Sequence, residues 1–199
     1  MDQTMGALHP VDRTFRDALQ KIWRAGDLIA TTNYDLQLEE TVGSTGISYT
    51  TPADILSVIR GKTGNKVIHL HGRYDRENGI DDIIADGPQY QSILDNSGAQ
   101  FIQNLLSTYP IVIVGCGGTV EDPNLAGFLS FAMEKLGTSD IPYFYLMKKG
   151  DTAPQLPGNA VMIYYGEDYG DLPQFLKELS LLRLQRRVGL PALISVNPY

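Results

Sequence analysis

The apolar positions of this chain switch repeatedly between a helical spacing and short unbroken runs. Val11, Phe15, Ala18, Leu19, Ile22 and Trp23 recur three or four residues apart and stop at Gly26, which predicts a helix ended by glycine. Leu28 to Thr32 follows as a run of apolar and β-branched residues, too short for a helix and of the right length for a strand buried on both faces. Thr51 and Pro52 supply an N-cap and a first helical residue for a short helix through Ile55, Leu56 and Ile59 to Gly61. Val67 to His71 reads as a second strand, stopped by Gly72 and followed by a mostly polar loop. Phe101, Ile102, Leu105 and Leu106 predict another helix. Ile111 to Val114, after Pro110, is the clearest strand, broken by Gly115, Cys116, Gly117 and Gly118. Asp122-Pro123 restarts a helix that turns Leu125, Phe128, Leu129, Ala132 and Met133 inward and ends at Gly137. Strands at Tyr143 to Met147 and Val161 to Tyr165, then a helix through Phe175, Leu176, Leu179 and Leu182, complete the series.

Strands that alternate with helices need crossover connections, and crossovers build a parallel sheet with helices on both faces. The expected fold is therefore α/β and Rossmann-like. Ligands of such sheets bind at the carboxyl ends of the strands. Three of those ends are polar or glycine-rich here: Thr31-Thr32-Asn33-Tyr34-Asp35, His69-Leu70-His71-Gly72 and Gly115-Cys116-Gly117-Gly118. Each also has an ordinary structural reading. Asn33 and Asp35 could form an Asx turn or cap a helix from Leu36 to Glu40. His71 could be a core histidine bonded to a carbonyl, and Cys116 a small buried residue. Tyr34 and Asp122 read most simply as a packing aromatic and an N-cap. His69 shares a face with His71 while the strand stays regular. His71 is the preferred site residue, since it stands at the strand end beside a glycine that admits close approach.

Composition narrows the picture. The 199 residues, 43% of them hydrophobic, suit one domain over 1–199 with a substantial core. No apolar run approaches the length of a bilayer span, and Asp2, Asp12 and Arg13 do not fit a secretory signal, so a cytoplasmic protein with no membrane partner is expected. One cysteine rules out an internal disulfide and a zinc site built on thiolates. With 16 basic against 23 acidic residues, the net charge of −7 has the wrong sign for tracking phosphate backbones, and direct nucleic-acid binding is not expected. The basic group Arg183, Arg186 and Arg187 fits the last turn of a helix, where its dipole favours cations.

Thr31 to Asp35, Leu70-His71-Gly72 and the strand-glycine-Asp-Pro-Asn-Leu arrangement ending at Leu125 resemble, in order and spacing, the signatures of the sirtuin-like NAD-hydrolysing domains of prokaryotic antiphage defence proteins. The resemblance spans residues 28–125 and implies a domain that breaks the bond between nicotinamide and ribose, with NAD as the substrate. It implies catalytic places for Asn33, facing the scissile bond, for His71 at the ribose, and for Asp35 as the neighbouring acid. Nucleotide contacts are implied for Thr31, Thr32, Gly72, Gly115, Cys116, Gly117 and Asp122. Deacylating sirtuins carry a zinc module on paired cysteines, which one cysteine cannot supply, so hydrolysis of NAD without a metal is expected ahead of deacylation. A silent nucleotide-binding or scaffolding module is the alternative. The Gly-Ala-Gly turn that cradles pyrophosphate in the family is missing. The chain is accordingly expected to be an incomplete or C-terminal portion, with an edge of the sheet unpaired and NAD turnover slow on its own. The rest of the site would come from preceding residues, a second copy or a partner defence subunit.

Overall fold

The computed structural model describes residues 13–24, 27–70, 72–75, 79–81, 83, 111–115, 143–152, 160–186 and 193–196. The helices expected around 101–106 and 122–137 lie outside these residues. The main sheet has seven strands: β1 (Leu28–Thr31), β2 (Gly46–Ser48), β3 (Val67–His69), β6 (Ile111–Val114), β7 (Tyr143–Met147), β8 (Ala160–Tyr164) and β9 (Leu193–Val196), in the order β2-β3-β1-β9-β6-β7-β8. Every ladder in it is parallel. A separate antiparallel pair, β4 (Arg73–Asp75) and β5 (Gly79–Asp81), follows β3. The expected parallel α/β sheet is thus present.

Helix α1 (Arg13–Arg24) buries Ala18, Leu19 and Ile22, the stripe its spacing predicts. It packs against α4 (Leu172–Arg186) over one face of the sheet. Ile29, Val67, Val112, Val114 and Leu146 meet Leu19 and Leu176 in the core there. Burying a side chain such as Leu19 completely contributes about 1.5–3 kcal/mol. Because strand side chains alternate, the face that holds Ile29 and Val67 also receives Thr31 and His69. Helix α2 (Gln37–Val42) lies on the same side, with Leu38 in the core cluster and Gly43 closing its C-terminus in the left-handed region. The position of Glu39 on this helix sets the environment of His69.

Helix α3 (Pro52–Ile59) begins as expected with proline in its first turn, but Thr51 does not cap it through its side chain. The Thr51 hydroxyl donates instead to the Ser48 carbonyl at 2.9 Å, closing the turn that leaves β2. Two strands of the main sheet were not foreseen, and β4 and β5 lie where the pattern predicts a polar loop after Gly72. β2 is three residues long, and β9 follows the last helix yet inserts between β1 and β6. β1 is consequently paired on both sides, with β3 and β9. No described helix is long and apolar enough to cross a membrane.

Candidate functional site

The carboxyl ends of β1 and β3 lie side by side, with Thr31 opposite His69. The chain leaving β1 is fixed through its main chain. The Asn33 N–H donates to Thr31 Oγ1 at 3.0 Å, and the Asn33 carbonyl accepts from His69 Nδ1 at 3.0 Å. The Tyr34 carbonyl accepts the Tyr74 N–H at 2.6 Å, and the Thr31 carbonyl accepts the Leu70 N–H at 2.9 Å. Asn33 itself is half-buried, and among the described residues its carboxamide has no hydrogen-bond partner. The loop holds its backbone, and no described residue engages the amide.

Asp35 behaves differently. Its Oδ1 accepts the Gln37 N–H at 3.0 Å, which is the Asx turn that leads into α2. One carboxylate oxygen is therefore engaged in structure. Thr31 is buried and Thr32 half-buried at the same strand end. Gly72 is buried with φ of 85°, and Gly115 is exposed with φ of 73°; both sit just past strands that end at the site edge. A side chain is strained in that left-handed region, so both turns depend on glycine. His71, Cys116, Gly117 and Asp122 lie outside the described residues. The structure thus brings together Thr31, Asn33 and the β3 end.

Two further residues belong to this edge: His69, which the strand pattern set behind His71, and Glu39, which no local pattern singled out. His69 is fully buried at 0% exposure and Glu39 nearly so at 5%. Their side chains meet at 2.5 Å between Nε2 and Oε1. A carbonyl can only accept, so His69 Nδ1 must carry the proton that it shares with Asn33. His69 Nε2 then either donates to a Glu39 carboxylate or accepts from its acid form. A proton lies between them in both cases. Glu39 Oε2 is buried without a partner among the described residues. The signal was available: a polar side chain inside a run as apolar as Val67-Ile68-His69-Leu70 requires a buried partner.

Gly46 on β2 gives this pair its space. A Cβ at Gly46 would collide with Glu39 Oε1 and come to 3.0 Å from His69 Cδ2 and Nε2. Gly46→Ala is expected to lower stability by about 1–3 kcal/mol, the range for overpacking a filled interior. Denaturant unfolding measures it, and an unchanged midpoint would mean that the pair has room to move. Arg73 lies over the same strand and donates from Nη1 to the Gly46 carbonyl at 3.2 Å.

Open parallel α/β sheets bind their ligands at the carboxyl ends of the strands, the end of β1 that Asn33 follows. The chain matches the SIR2-like domain over residues 27–170 and belongs to that family. The match begins beside β1 and runs through β8, so it takes in both halves of the site edge. Membership assigns a sirtuin-like, NAD-related function at the level of the family. Among the described residues no group of three or more His, Cys, Asp or Glu side chains is placed to hold a metal ion.

Proposed function

We propose that this chain hydrolyses NAD to nicotinamide and ADP-ribose. The observation that carries the reading is Asn33: its backbone is pinned by Thr31 and His69, while its carboxamide, at the end of a central strand, has no hydrogen-bond partner among the described residues. Departure of nicotinamide leaves positive charge on the ribose, and an amide oxygen held in advance stabilises that charge without first having to reorganise. His71 moves the proton, and water is the nucleophile. In this reading Asp35 orders the loop with one oxygen and has the other available to the site. Thr31, Thr32, Gly72, Gly115, Cys116, Gly117 and Asp122 line the nucleotide.

Incubation of the purified protein with NAD, following nicotinamide and ADP-ribose, tests the reading directly. Products in equal amounts are expected, and none from a protein that still binds NAD would favour the silent binding module. That second reading draws on Asp35, whose carboxylate already has a structural partner. His71→Ala is expected to lower turnover as strongly as a change at Asn33. Turnover is also expected to survive dialysis against a strong chelator, because a single cysteine cannot build the thiolate zinc module of the deacylases. A stoichiometric metal whose removal stops the reaction would refute this. We read the activity as that of a defence effector that depletes cellular NAD, acting as a homo-oligomer or with a partner subunit, on the strength of the resemblance of Thr31 to Leu125 to such proteins. A fall in NAD during phage infection of cells carrying the protein, and none with Asn33→Ala, is the expected result.

A further inference from the structure

We propose that His69, held by Glu39, is a positioning residue that aims Asn33 into the site through its main-chain carbonyl. The inference rests on the reading of Asn33 as the residue facing the scissile bond, and extends it to a layer beneath the loop.

The geometry supplies the argument. His69 is the last residue of β3, and its ring spans from the Asn33 carbonyl on one side to Glu39 on the other. Glu39 is carried by the helix that this same loop leads into, so loop and helix close on the histidine together. The Asn33 N–H is held by Thr31 at the same time. With both its amide proton and its carbonyl fixed, the backbone at Asn33 has little freedom, which sets the direction of its Cα–Cβ bond and the rotamers open to the carboxamide. Stability alone does not account for the pair. Well-packed apolar residues of similar volume stabilise an interior as well as or better than a buried ionisable pair. An apolar pair would, however, leave the Asn33 carbonyl without its donor. Gly46 points the same way, because the adjacent strand gives up a side chain to accommodate the two.

The two ring nitrogens can be tested separately. An asparagine at this position can place its amide where Nδ1 stands and so donate to Asn33, whereas a glutamine reaches toward Nε2 and Glu39. Removing histidine alone would strand a buried carboxylate, so both substitutions are made with Glu39→Gln, and Glu39→Gln alone is the reference. Glu39→Gln/His69→Asn is expected to keep kcat for NAD cleavage within about fivefold of the reference. Glu39→Gln/His69→Gln is expected to lose about 10- to 100-fold in kcat with KM changed less than about threefold, as for a misplaced group acting in the transition state. The 13C shift of the Asn33 carbonyl supplies a readout independent of turnover: it should stay near the reference in the asparagine variant and move in the glutamine variant. Equal carbonyl shifts, or equal losses of kcat in proportion to lost stability, would reduce His69 to a core residue and overturn the proposal. If the unaltered protein cleaves no NAD, the functional reading fails, and the carbonyl shift alone then decides whether His69 positions the loop.

Discussion

Replacing Asn33 by alanine is expected to lower kcat for NAD cleavage by about 10²- to 10³-fold, the usual loss when one preorganised polar group is withdrawn from developing charge. Stability should barely change. The bonds that shape the loop use the Asn33 N–H and carbonyl, and both survive in alanine. The side chain is half-buried and has no hydrogen-bond partner among the described residues, so its removal falls with substitutions that cost within about 0.5 kcal/mol. The experiment pairs steady-state kinetics with thermal unfolding, each relative to the unaltered chain. Unchanged turnover would remove Asn33 from the reaction, and a large fall in the unfolding midpoint would show that the carboxamide serves the fold. Asn33→Asp is an informative companion: it keeps an oxygen near the scissile bond and adds charge, so it should retain more turnover than alanine.

The strands that carry this site were legible because central parallel strands are read as continuous apolar runs. Leu28 to Thr31, Ile111 to Val114 and Tyr143 to Met147 are such runs, and each is a strand. β2 was not legible, since Gly46-Ile47-Ser48 has neither the length nor the β-branched content of a strand signal and is placed by its pairing with β3. β9 is a harder case. Its run Leu193 to Val196 is apolar, but its place between β1 and β6 is decided by ladders to residues far earlier in the chain. Of the site, Asn33 could be singled out from its place after a strand, and Asp35 fits the Asx turn that was one of its two readings. His69 could not be separated from its neighbour His71 by spacing alone, because its role depends on Glu39, which is 30 residues away in sequence. Local pattern locates a strand end; which buried groups meet beneath it is a tertiary fact.

The buried pair should show itself most plainly in a stability cycle. His69→Leu and Glu39→Leu are each expected to destabilise the protein by about 3–5 kcal/mol, as when one partner of a buried pair is removed. His69→Leu strands a carboxyl group that is 5% exposed and whose Oε2 already lacks a partner among the described residues. Glu39→Leu strands the Nε2 side of a ring with no exposure to water. The double substitution to leucine removes both polar groups from the interior and offers apolar volume in their place. Its cost should be well below the sum of the two single changes, by at least about 2 kcal/mol, because groups in direct contact do not contribute independently. What remains of the cost includes the Asn33 carbonyl, which loses its donor in both backgrounds that lack histidine. Urea unfolding of the four proteins, with slopes compared to confirm that each unfolds as one unit, gives the coupling directly. Additive losses would mean that His69 and Glu39 do not depend on one another and that the shared proton between them is absent in solution. A double variant as stable as the unaltered protein yet slow in NAD cleavage would separate what the pair does for the fold from what it does for Asn33.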